Sequence, residues 1–235
     1  MHNETHLMKE PSKVTPTLAS SETTAQKRSE ISSGQSILQS IVRMSGTQAN
    51  GRAGLVVDVA VSLALLYAGM RRIDVHPLMA LLTIFLGLIL FSFLEYCFHR
   101  WLFHGPVHLM EQGHRRHHQE PEGYDSLPFF LPPLSMLGLA AILSMIAPVT
   151  FAFLLVGGLA AGYAAYGLSH TLIHNIRFQY SLPRRWAAAH HIHHCHPDRN
   201  FGVTTPLWDI LLRTRYVSKG KRSARDIDGG PADRS

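Results

Sequence analysis

The chain has 235 residues and a formal net charge of +6, yet only 16% of its residues are charged. An ordinary soluble domain carries about 25%, so a mean hydropathy of +0.04 must average over very unlike segments. Two cysteines, Cys97 and Cys195, exclude a disulfide framework, and no zinc finger, RNP motif or basic heptad array supports nucleic acid as a partner.

Residues 1–50 contain fifteen Ser or Thr together with Pro11 and Pro16. Such a segment buries too little apolar surface to fold alone and reads as a disordered polar arm. Within it, Ile37, Leu38, Ile41 and Val42 allow a short interfacial helix over 31–44. The first membrane span is expected at 53–70, with Asp58 its one charge. Eighteen helical residues reach about 27 Å, just enough for a hydrocarbon core of about 30 Å. Arg71, Arg72, Ile73 and Asp74 allow only a tight turn before a second span at 75–98.

A polar segment covers 105–126, and a second apolar block covers 127–168. This block is too long for one span, so two are expected, with the turn near Ala147 and Pro148. Pro132 and Pro133 should bend the start of the third helix, while Gly157, Gly158 and Gly162 should let the fourth pack closely. The fold class is therefore all-α and integral to the membrane. Four transmembrane helices form two hairpins, with the arm, the polar segment and the tail on one side. That side carries all the Lys and Arg except Arg71 and Arg72, which makes it cytoplasmic. The domain plan is an arm at 1–50, a membrane domain at 51–217 and a basic tail at 218–235.

Sixteen histidines are the other anomaly, and thirteen of them lie between His99 and His196. Ten fall into four groups: His99 and His104; His114, His117 and His118; His170 and His174; His190, His193 and His194. On a helix, positions i, i+3 and i+4 share a face, so each triplet can converge on one point. His99 and His104 are five apart and converge only if their helix breaks or bends. All four groups lie at the same membrane face in the hairpin arrangement. Neutral imidazoles are good metal ligands, whereas crowded imidazolium ions repel. Ten nitrogens suit two metals with about five each and room for oxygen or substrate, rather than two closed tetrahedral zinc sites. His108, His191 and His196 fall outside the pattern and read as supporting or surface residues, and His2, His6 and His76 as surface or capping residues. No HExxH motif indicates zinc-protease chemistry.

The run 95–104, with Glu95, His99 and His104 in the pattern E-x3-H-x4-H, resembles the first histidine box of the fatty acid hydroxylase (sterol desaturase) superfamily. His114, His117 and His118 followed by Pro121 resemble its second box. His170 and His174, then His190, His193 and His194 before F-G-V-T-x3-W-D at 201–209, resemble the rest. The spacing is most similar to fatty acid 2-hydroxylases, although the interval from His104 to His114 is shorter than in the eukaryotic acyl 2-hydroxylases. The resemblance implies a four-helix membrane base under a cytosolic cap, with two iron ions held by the ten histidines. Zinc can take their place in isolated protein. It also implies O2-dependent hydroxylation of a lipid acyl chain, fatty acid or sphingolipid. No haem-binding HPGG motif occurs, so electrons are expected from a separate donor protein.

Around the ligands, Glu95 is a candidate to orient His99 through its ring N–H, as ligating histidines require. Its competing reading is an interfacial charge. Asp209 has a similar choice between orienting a ligand and capping the segment after Trp208. Tyr96, Trp101 and Trp208 read as interfacial anchors. Arg115, Arg116, Arg184 and Arg185 read as contacts for head groups or an acidic redox donor, or as general membrane anchors. Two other enzyme readings share the ligand pattern, a sterol or carotenoid oxidase and a lipid desaturase. A metal transporter or metal-storage protein is more remote. Transporters place polar ligands near the membrane midplane, and these spans are almost free of them.

Overall fold

The structure, a computed structural model, describes residues 36, 39–71, 76–123 and 126–218. Most of the N-terminal arm, residues 72–75 of the first connector and residues 219–235 of the tail lie outside these, as do His2 and His6. The chain divides into two compact units, 1–44 and 45–235. In the first, residues 36 and 39–44 are helical. The second contains every element discussed below, and it is all-helical among the described residues.

Helix α1 runs from Gln48 to Met70, with the Thr47 side chain accepting a hydrogen bond from the Asn50 amide at its start. It opens before the expected boundary because Asn50 is a polar anchor. Its side chain donates to Leu127 O and Ser126 Oγ, each at 2.9 Å, and accepts from the Phe129 amide at 3.0 Å. Helix α2 spans Pro77–Cys97. His76 caps it through Nδ1, and Pro77 opens it where a missing N–H costs nothing. The helix continues into a π-helical turn at Phe98–Phe103.

Helix α3 spans His108–Gln119, α4 Leu131–Leu143, α5 Val149–Asn175, α6 Ser181–Cys195 and α7 Leu207–Leu211. Among the described residues, three helices are long and apolar enough to cross a membrane: Gln48–Met70, Pro77–Phe103 and Val149–Asn175. The block 127–168 divides into two helices with the turn at 144–148, where it was expected, but the two differ in length. Pro132 and Pro133 sit in the first turn of α4, so they start that helix rather than bend it. Ser144 closes it after 13 residues, about 20 Å of rise.

Helix α5 is the hub, packing against α1, α2 and α4. Small residues on its faces make this possible. A Cβ on Gly158 would collide with the Ile84 carbonyl, and one on Gly87 with the Leu155 carbonyl, so α2 and α5 cross backbone to backbone. The Ser62 hydroxyl of α1 donates to Gly157 O at 3.1 Å inside this interface. Val56, Leu63, Leu81 and Phe85 point outward from α1 and α2. A large apolar outer surface of this kind suits lipid rather than water. At one end, the C-terminal turns of α2 and α5 meet α3 and α6, and that junction holds the histidines.

Candidate metal centre

A π turn places the first histidine group, and regular α-helix places the other three. His99 and His104 would lie about 140° apart on an α-helix. Between them the helix does not break; it widens into a π turn. The His104 amide bonds to the His99 carbonyl five residues back, at 3.3 Å, the i→i+5 pattern of a π turn. The two rings consequently stack, with centroids 5.3 Å apart. On α3 and α6 the helix stays regular. His170 and His174 lie one turn apart at the end of α5, with centroids at 4.8 Å.

These devices sort the histidines into two clusters. The first contains His99, His104, His114, His118 and His193; the second contains His117, His174, His190 and His194. In each, the ligand atoms all lie within 4.8 Å of one another. The His170 ring packs beside the second cluster, 4.4 Å from His117 and 5.0 Å from His190. The expectation that each triplet converges on a single point therefore needs correction. Positions i and i+4 are only about 40° apart around a helix, whereas i+3 lies about 60° to the other side. His114 and His118 thus share one cluster while His117 enters the other. His190 and His194 share the second while His193 enters the first. Helices α3 and α6 exchange one ligand each.

The donor geometry identifies what these clusters fit. His114 Nε2 lies 3.0 Å from each of three neighbours, His99, His104 and His118 Nε2. His104 and His193 Nε2 are also 3.0 Å apart, as are His174 and His190 Nε2. One neutral imidazole nitrogen carries one proton or one lone pair, so it cannot hydrogen-bond three others at once. A common metal ion resolves the crowding. With metal–nitrogen bonds of about 2.1 Å, donors 3.0 Å apart subtend about 90°, while a tetrahedron would spread them to about 3.4 Å. The spacing suits five or six coordination. His117 Nε2, buried without a hydrogen-bond partner, is a further lone pair in need of a ligand.

The charge state agrees. Burial and the neighbouring His118 hold His104 at about 4. Burial holds His193 at about 3 against the opposing pull of the Arg199 carbonyl. Burial, with His118 and His174 nearby, holds His194 at about 3. These rings are neutral near pH 7 and present lone pairs.

The surroundings differ from expectation at Glu95. Its carboxylate does not meet His99. It accepts from the Val203 and Thr204 amides at 2.6 and 3.0 Å and from the Thr204 hydroxyl. The Phe201 carbonyl takes the expected place at His99 Nδ1, at 2.5 Å. Asp209 is buried and accepts from the Phe201 and Gly202 amides at 2.9 and 2.8 Å and from Thr214 Oγ1 at 2.7 Å. Tyr96 is fully buried rather than at an interface, and Trp208 is half-buried. The Tyr96 hydroxyl sits between Arg100 and Thr214, and Trp208 Nε1 donates to Ser92 Oγ. Trp101 is exposed, as are Arg115, Arg116, Arg184 and Arg185. His191 and His196 are exposed too; His191 lies 5.7 Å from His174, and His196 stacks on Tyr216. The side chain of His108 is outside the described residues. Sequence reasoning missed the carbonyls of Arg199 and Phe201, because a backbone acceptor has no side-chain signature. The run from Phe201 to Asp209 was the available signal.

A fold of apolar helices capped by two histidine clusters defines a class of membrane metalloproteins. The chain belongs to the fatty acid hydroxylase family, whose model matches residues 84–214. It is 29% identical over 150 residues to a dihydroceramide fatty acyl 2-hydroxylase of Arabidopsis thaliana, covering 58% of this chain and 62% of that protein. It is 29% identical over 153 residues to the fatty acid 2-hydroxylase of Homo sapiens, covering 57% of this chain and 39% of that protein. The chain thus spans less than two thirds of the curated relatives it matches. A solved structure of full-length scs7p, with only the hydroxylase domain visible, superposes with a TM-score of 0.61 at 23% identity. It covers 74% of this chain and 69% of that one, and the likeness is one of fold.

Proposed function

We propose that this protein is a membrane di-iron oxygenase that hydroxylates a lipid acyl chain, a fatty acid or the acyl group of a sphingolipid. The observation that carries the reading is the pair of adjacent histidine clusters at the ends of apolar helices, with donor atoms 3.0 Å apart. The fatty acyl 2-hydroxylase relatives supply the substrate class. Residues 51–217 would form the membrane domain. Helix α4 would enter the bilayer as a short fourth segment beside the three longer helices, completing two hairpins with the clusters at the cytoplasmic face.

His99, His104, His114, His118 and His193 would hold one ion, and His117, His170, His174, His190 and His194 the other. Iron, when bound, would supply the redox chemistry of oxygen reduction. The chain itself presents neutral nitrogens at fixed angles and leaves room on each ion for a further ligand. It also shields the first cluster with Phe103 and Phe201, whose rings lie 5.2 Å from His114 and 5.9 Å from His99. One acyl C–H would become C–OH. The second oxygen atom would leave as water, with two protons and two electrons from a separate donor protein. The exposed Arg115, Arg116, Arg184 and Arg185 would meet lipid head groups or an acidic donor.

The test is lipid mass spectrometry of a host with and without the protein. A gain of one oxygen on an acyl chain is expected. Loss of two hydrogens would establish desaturation instead, and no change in any lipid would overturn both. Metal analysis should find two ions per chain.

A further inference from the structure

Residues 199–204 form a strap across the first cluster. Its carbonyls at Arg199 and Phe201 face Nδ1 of His193 and His99, at 2.7 and 2.5 Å. Each ring then carries its proton on Nδ1 and its lone pair on Nε2, the nitrogen that points into the cluster. Both rings are buried.

The strap is held from several sides. Glu95 takes the Val203 and Thr204 amides and the Thr204 hydroxyl. Asp209 takes the Phe201 and Gly202 amides. Trp186 Nε1 donates to Val203 O at 2.7 Å. Asn200 adopts a positive φ of 54°, and its side chain joins Ala189 O to the Tyr216 amide. Gly202 is required in this turn, since a Cβ there would collide with the Thr205 carbonyl.

The second cluster has no such strap among the described residues. Among the described residues, the close ring-nitrogen contacts of His174, His190 and His194 run within the cluster and reach no backbone carbonyl. His190 Nδ1 is buried with no hydrogen-bond partner. Outer partners of ligating histidines fix the tautomer and ring orientation, and their loss costs about 10- to 100-fold in metal affinity.

We propose that the strap makes the two sites unequal, so that the first cluster keeps its ion while the second releases its own, and that Glu95 is the positioning residue responsible. Glu95 acts through the strap, never on the metal. The inference rests on the di-metal reading above.

The test uses the full chain in lipid nanodiscs, loaded with Zn2+ as a redox-silent probe that imidazole accepts. Release to a colorimetric chelator is followed in time, and bound zinc is counted by elemental mass spectrometry. The wild-type chain should release two ions in two phases, with rates differing about ten-fold or more. His118→Ala should remove the slow phase and His194→Ala the fast one. Glu95→Gln should accelerate the slow phase by about 10- to 100-fold and leave the fast phase unchanged. Thr204→Val should act in the same direction, and Thr204→Ser should restore the wild-type rate. If Glu95→Gln fails to fold, the Thr204 pair decides. A single phase for both ions overturns the proposal, as does equal acceleration of both phases by Glu95→Gln or Thr204→Val. Fewer than two ions on the wild-type chain would instead overturn the di-metal reading.

Discussion

Where α2 crosses α5, Gly87 and Gly158 bring backbone against backbone, and apolar side chains fill the rest of the contact. At the strap over the first cluster the materials are reversed. Two buried carboxylates, an asparagine and an indole N–H fix a short irregular segment through hydrogen bonds. The bundle needs shape, because lipid offers helices little hydrophobic reason to associate. The cap needs direction, because a metal ligand must present one nitrogen along one line. Damage to the bundle should therefore read out as lost stability alone, and damage to the cap as lost metal, with or without lost stability.

The largest expected effect is on the clusters themselves. His114→Ala removes the nitrogen that faces three others. It should empty the first site and reduce lipid oxidation by more than the roughly 100-fold that outer-partner losses reach; product yield and metal content check this. Next comes Asp209→Ala, which leaves the buried Phe201 amide and the part-buried Gly202 amide without an acceptor. At about 1–3 kcal/mol for each stranded group, a clear fall in thermal stability is expected together with partial metal loss. Gly158→Ala should separate the two regions. Overpacking against the Ile84 carbonyl should cost about 1–3 kcal/mol, with the metal content of the surviving folded protein unchanged. If that variant lost metal at full stability, the division between bundle and cap would fail. Smallest of all, His196→Ala removes only a stacked surface ring. It should shift stability by about 0.5 kcal/mol or less and leave the metal content unchanged.

The bundle was largely legible because lipid-facing helices announce themselves as long apolar runs. α1 ends at Met70 as expected, and the small residues of α5 mark the contact they make. The block 127–168 divides in two near Ala147 and Pro148 as expected, but its apolar run does not show that one helix is short and the other long. Hydropathy reports polarity and is silent about where Pro132 and Ser144 start and stop a helix. In the cap, spacing showed which histidines would gather at one end of the bundle. It did not show how they divide, because that depends on the 100° turned between His117 and His118. The role of Glu95 was also hidden. Its sequence position one turn before His99 suggests a direct contact, whereas its partners lie more than a hundred residues away at Val203 and Thr204.

The exchange of His117 and His193 between clusters has a mechanical consequence. Because α3 and α6 each serve both sites, neither site can be moved without dragging part of the other. Side chains three or four apart on a helix are about 5–6 Å apart at Cβ, and an α-helix does not stretch. The two helices thus act as a pair of rulers laid side by side, and the distance between the two clusters is set by helical pitch rather than by any loop.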